Sequence, residues 1–160
     1  MFEKFGEFDS AEELNKAAEG FRNEGDMESL YALAEENGIN KEDAEDYADG
    51  ETDIFASCMM AAVGRIDVEE KTCKKEKMPM QVIFLMLRGM CADADMQRAI
   101  MKKGKRAEKI LDSMKEAAKK HKTGGMGMCC GTDKQLKDLI RTYYLQTEDD
   151  LSKKIESMYV

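Results

Sequence analysis

The stretch SAEELNKAAEGFRNEGDMESLYALAEENGINKEDAEDYADG, residues 10–50, reads as three short helices with their punctuation in place. Ser10 with Glu13 has the capping-box pattern, in which a hydroxyl and a returning carboxylate satisfy amides that the first helical turn leaves unpaired. Leu14, Ala17, Ala18 and Phe21 follow at helical spacing, and Gly25 suits a left-handed C-terminal residue. Asp26 caps a second helix with Met27, Leu30, Tyr31 and Ala34 inward, ending at Gly38. Asn40 caps a third, with Ala44, Tyr47 and Ala48 inward, ending at Gly50. Segments this short are marginal alone in water, so they imply a small bundle packed on shared apolar faces.

Further along, the spacing predicts a helix over 53–63 with Ile54, Phe55, Cys58, Met59 and Ala62 inward. Residues 65–77 are charged and lack an apolar period, which reads as a connector, partly extended. Pro79 fits a first helical turn, and the run through Met90 is apolar nearly all round, as expected of a helix central to a core. A short helix over 95–102 stops near Gly104. An amphipathic helix over 107–121 has Ala107, Ile110, Leu111, Met114 and Ala118 inward. After the glycine-rich loop 124–131, Thr132 with Gln135 opens a helix carrying Leu136, Leu139, Ile140, Tyr143 and Tyr144. Thr147 caps a last helix with Leu151, Ile155 and Met158. The expected fold is all-α, with at most a minor β-hairpin: a multi-helix bundle with an acidic three-helix module at 1–51 and a basic helical domain at 52–160.

Composition agrees. The 160 residues include one proline and are rich in Ala, Glu, Lys, Leu and Met, which lose least on entering a helix. A chain this long buries roughly two-thirds of its unfolded surface and folds without disulfide or metal. The longest apolar run, Val82 to Leu87, ends at Arg88, far short of the roughly 20 residues that span a membrane. Met1-Phe2-Glu3-Lys4-Phe5 lacks the basic and apolar regions of a secretory signal. Cys58, Cys73, Cys91, Cys129 and Cys130 are odd in number and without framework spacing, as for reduced thiols in a cytoplasm.

Charge is distributed unevenly. Residues 1–57 carry 18 acidic and four basic residues, a net of −14; the remainder carries +6, leaving −8 overall. Such asymmetry points to two surfaces suited to partners of opposite sign, or to two solvated helix faces. Residues 33–47 have the outline of a helix-turn-helix. Its second helix would meet phosphates with Glu42, Asp43, Glu45, Asp46 and Asp49 against Lys41 alone, which argues against DNA reading and in favour of a helical hairpin with no DNA role. Glu42, Glu45, Asp46 and Asp49 fall at i, i+3, i+4 and i+7, one stripe of carboxylates. Two of them sit near the C-terminal end, where negative charge is locally unfavourable. That row can act as a nucleic-acid mimic on a basic groove, or be an ordinary solvated face. The opposite patch, Arg98 to Lys122, holds ten basic residues. Lys102, Lys103, Lys105, Arg106 and Lys109 surround Gly104, where backbone can approach a phosphate without reading sequence. No aromatic residue interleaves them, which argues against a single-strand stacking platform.

Chemistry has little to work with. The loop 124–131 lacks the lysine and hydroxyl of a phosphate-binding loop. Cys129 and Cys130 are adjacent and cannot chelate zinc as a C-x-x-C pair does. His121, the only histidine, reads as a solvated helix end. The methionines read as adaptable core packing. No metal, cofactor or catalytic constellation is expected, and the chain is expected to bind macromolecules rather than catalyse.

Two stretches carry a resemblance. Phe2-Glu3-Lys4-Phe5-Gly6-Glu7-Phe8-Asp9-Ser10, with Ala34 to Ile39 and Glu42 to Tyr47, resembles an N-terminal module of small proteins on bacterial mobile elements and phages. Lys103-Gly104-Lys105 through Lys119-Lys120 and the glycine loop to Tyr143-Tyr144 resembles the PcfK-like proteins of conjugative elements. Residues 52–99 and the tip Met128-Cys129-Cys130 lie outside it. Some relatives of both kinds are anti-CRISPR proteins. The resemblance thus implies a phage or mobile-element protein in the bacterial cytoplasm that binds a type II CRISPR effector nuclease with its guide RNA, and DNA in one variant, and blocks or traps DNA engagement. The alternative it implies is a nucleic-acid-associated accessory protein of plasmid transfer. Oligomeric state stays open at this point.

Overall fold

The computed structural model describes residues 1–123, 127 and 131–159. The described residues form α1 (Ala11–Glu24), α2 (Met27–Glu36), α3 (Lys41–Asp49), α4 (Cys58–Thr72), α5 (Lys77–Met90), α6 (Ala94–Met101), α7 (Glu108–Lys120), α8 (Asp133–Leu145) and α9 (Glu148–Glu156), followed by a 3-10 turn over Ser157–Tyr159. The protein is all-helical, and no sheet forms among the described residues. The glycine-rich loop with Cys129 and Cys130 lies outside them, apart from Gly127 and Gly131. No described helix is long and apolar enough to cross a membrane.

The chain divides into two units, Met1–Thr72 with Met90–Lys105, and Cys73–Gly89 with the chain from Arg106 onward. In the first, Leu14, Leu30, Leu33, Ala44, Tyr47, Phe55 and Met101 share one buried cluster. Each large side chain there contributes about 2 kcal/mol on burial, against about 1 kcal/mol for a cap, so packing rather than capping holds these short helices. The caps still decide where helices begin and end. Ser10 accepts from the Glu13 amide at 3.2 Å, but the Glu13 carboxylate returns to the Asp9 amide at 2.8 Å, one residue earlier than a capping box requires. Asp26 and Asn40 cap α2 and α3, and Gly25 and Gly50 close α1 and α3 in the left-handed conformation.

At Gly38, φ is +67°, and the turn between α2 and α3 lies against the backbone of α4 at Gly64. A Cβ on Gly38 would fall on the Gly64 carbonyl, and one on Gly64 would fall on the Asn37 carbonyl oxygen. Two glycines are therefore required for backbone to meet backbone.

Three expectations are corrected in this unit. Residues 65–72 are the second half of α4 rather than a connector. Their inward face holds Arg65, Ile66, Val68 and Glu69, so an apolar period misses the turns where a charged residue points inward. The helix also starts at Cys58; residues 53–57 are a loop fastened by Asn15, which donates to the Ala11 and Ala56 carbonyls and accepts from the Phe55 and Ala56 amides. In that loop Phe55 is buried while Ile54 is exposed.

In the second unit, α8 and α9 pack through the Thr147 turn, with α7 against both. Leu139, Ile140, Tyr143, Leu151, Ile155, Ile110 and Leu111 are buried. Thr132 with Gln135 and Thr147 with Asp150 both make complete capping boxes. Lys75 reaches Asp112 at 2.9 Å, and Glu76 pairs with Lys115. Those bonds hold the Lys75 ammonium above its usual range and the Glu76 carboxyl below its own. His121 is not a solvated end: its Nε2 lies 2.6 Å from Glu156 and its ring stacks on Tyr159 at 4.2 Å. α5 is not apolar toward the interior on every side. Met80, Ile83, Phe84 and Leu87 are buried, whereas Met78, Val82 and Leu85 face outward.

Candidate acidic interaction surface

α3 buries Ala44 and Tyr47 and turns its other face out. Glu42, Asp46 and Asp49 are exposed; Asp43 and Glu45 are half-buried. Glu45 pairs with Lys41 at 3.4 Å. Among the described residues Glu42, Asp46 and Asp49 enter no ion pair. The sequence-derived stripe is thus one continuous outward row.

The row is held firmly from beneath. Arg22 of α1 lays its guanidinium 4.4 Å from the Tyr47 ring centre and donates to the Tyr47 carbonyl at 3.1 Å. Tyr47 in turn meets Phe55 edge-on at 5.6 Å. Arg22 therefore places a cation at the C-terminal end of α3, where it offsets the unfavourable placement of Asp46 and Asp49 against the helix dipole. Sequence spacing within α3 shows the carboxylates; it does not show the compensating arginine, which comes from another helix.

Among α2, α3 and α4 opens a cleft of about 550 Å³. Tyr31 and Glu35 of α2, Lys41 and Ala44 of α3, and Asp67 and Lys71 of α4 line it. Tyr31, expected inward, is 37% exposed and forms a wall of this cleft, while Leu33 takes the fully buried position. An exposed aromatic in the wall of a cleft suits a protein partner, since such side chains are the ones that anchor interfaces.

The basic residues fare differently. Lys102, Lys103 and Lys105 belong to the first unit, Arg106 and Lys109 to the second. Lys102 Nζ lies 3.0 Å from Asp9, the Lys103 amide donates to Asp9 at 3.0 Å, and the Gly104 amide donates to Glu7 at 3.2 Å. The Lys103 amide, then the Lys102 ammonium, hold the Asp9 carboxyl below its usual range. The backbone donors that a phosphate would use are thus already engaged by carboxylates of the N-terminal segment. The Arg106 amide donates to the Tyr143 hydroxyl, and Lys109 pairs with Glu148 at 3.0 Å. Lys103 keeps an exposed side chain.

Glu7 has a further partner that sequence reasoning missed. Arg65, 1% exposed, reaches Glu7 at 2.6 Å and the Phe8 carbonyl at 2.7 Å, with the Phe2 ring 4.7 Å from its guanidinium. Glu36 accepts from the Lys4 and Phe5 amides at 2.8 and 3.0 Å. Residues 2–9, the stretch that carries the N-terminal resemblance, form a strap over α2 and α4 and end at the 102–104 turn. No group of three or more His, Cys, Asp or Glu placed to hold a metal occurs among the described residues. Compared with known protein families, curated proteins and solved structures, the chain matches none.

Proposed function

We propose that the protein acts without catalysis, as an inhibitor that lays the outer face of α3 on a basic surface of a type II RNA-guided nuclease. The observation that carries this reading is the row Glu42, Asp46 and Asp49, outward and unpaired among the described residues, on a helix fixed by Arg22 and by the Gly38–Gly64 contact. Carboxylates spaced roughly 5–6 Å apart along one face approximate the charge of a nucleic-acid backbone. The nuclease must hold guide, target and displaced strand in positively charged channels. Rigid anionic cover of such a channel excludes DNA by competition, and the cleft at Tyr31 offers a place for a partner side chain. The mobile-element origin and the choice of nuclease come from the resemblance of residues 2–47 and 103–144. Engagement of the 102–104 turn by Glu7 and Asp9 favours the acidic face over the basic patch as the contact.

The test is cleavage of a target plasmid by a panel of type II effectors, with the purified protein added before or after guide and target. Dose-dependent loss of cleavage, greater when the protein is added before DNA, is expected. A charge-reversed variant with lysine at Glu42, Glu45, Asp46 and Asp49 is expected to lose inhibition while keeping its helical spectrum. Normal cleavage by every effector would overturn the assignment. Salt-sensitive DNA binding by the protein alone, lost when Lys102, Lys103, Lys105 and Arg106 become alanine, would then support a plasmid-transfer accessory role.

A further inference from the structure

We draw no further inference here: the strongest candidate, the cleft among α2, α3 and α4, is lined by the carboxylates of Glu35 and Asp67 and the ammonium groups of Lys41 and Lys71 alike, so nothing in the structure shows what fills it.

Discussion

Residues 7–9 and residues 42–49 are both acidic and both belong to the first unit, yet their carboxylates do opposite things. Glu7 and Asp9 are consumed inside the fold, by Arg65, by Lys102 and by the amides of Lys103 and Gly104. Glu42, Asp46 and Asp49 face outward on a helix whose other side buries Ala44 and Tyr47. A charge total of −14 over residues 1–57 cannot separate the two. Burial and partners can: a carboxylate with a cation and amides around it stabilises the chain, and one left without them is available to something else.

The contrast breaks first at Arg65. Arg65→Ala leaves Glu7 beside a vacated site and frees the strap, with an expected loss of about 3 kcal/mol or more in urea denaturation. A loss within about 0.5 kcal/mol, usual for a surface change, would mean that the strap is not held by this pair. Gly64→Ala comes next. Its methyl group falls on the Asn37 carbonyl, and overpacking of that kind costs about 1–3 kcal/mol, read as a lowered Tm with α2 and α3 loosened.

Asp9 gives a smaller, pH-dependent effect. Its carboxyl is held below the usual range by the Lys103 amide and the Lys102 ammonium. A depressed folded pKa means a contribution present above the unfolded value and lost as the pH falls through the folded one. Asp9→Asn is therefore expected to lower Tm at neutral pH, with the difference from wild type vanishing in strong acid. A constant difference at all pH values would point to packing rather than charge. The smallest effect on stability is expected at α3. Reversing Glu42, Glu45, Asp46 and Asp49 should shift stability by about 0.5 kcal/mol or less per substitution, while abolishing inhibition in the cleavage assay. Equal loss of both would merge the two acidic regions into one structural role.

Much of this is legible in the sequence. Caps at Asp26, Asn40, Thr132 and Thr147 and the left-handed glycines at 25, 38 and 50 act over one turn of chain, so local spacing reveals them. The carboxylate row of α3 is likewise a matter of helical period alone. Residues 65–72 were misread because Arg65 and Glu69 occupy core positions that a search for apolar period passes over. α5 was misread for the converse reason: apolar residues on all sides imply burial only where something covers each side, and Met78, Val82 and Leu85 are exposed.

The sequence by itself determined that the chain is helical, where most helices start and stop, and which carboxylates share the outer face of α3, since each depends on residues within a few positions of one another. Only the tertiary structure decided that Arg65 straps down residues 2–9, that Gly38 meets Gly64, that Arg22 supports α3, and that residues 73–89 group with 106 onward rather than with their chain neighbours. Those are pairings between residues some 25 to 60 positions apart in the chain, set by which surfaces bury each other best, and no local period records them.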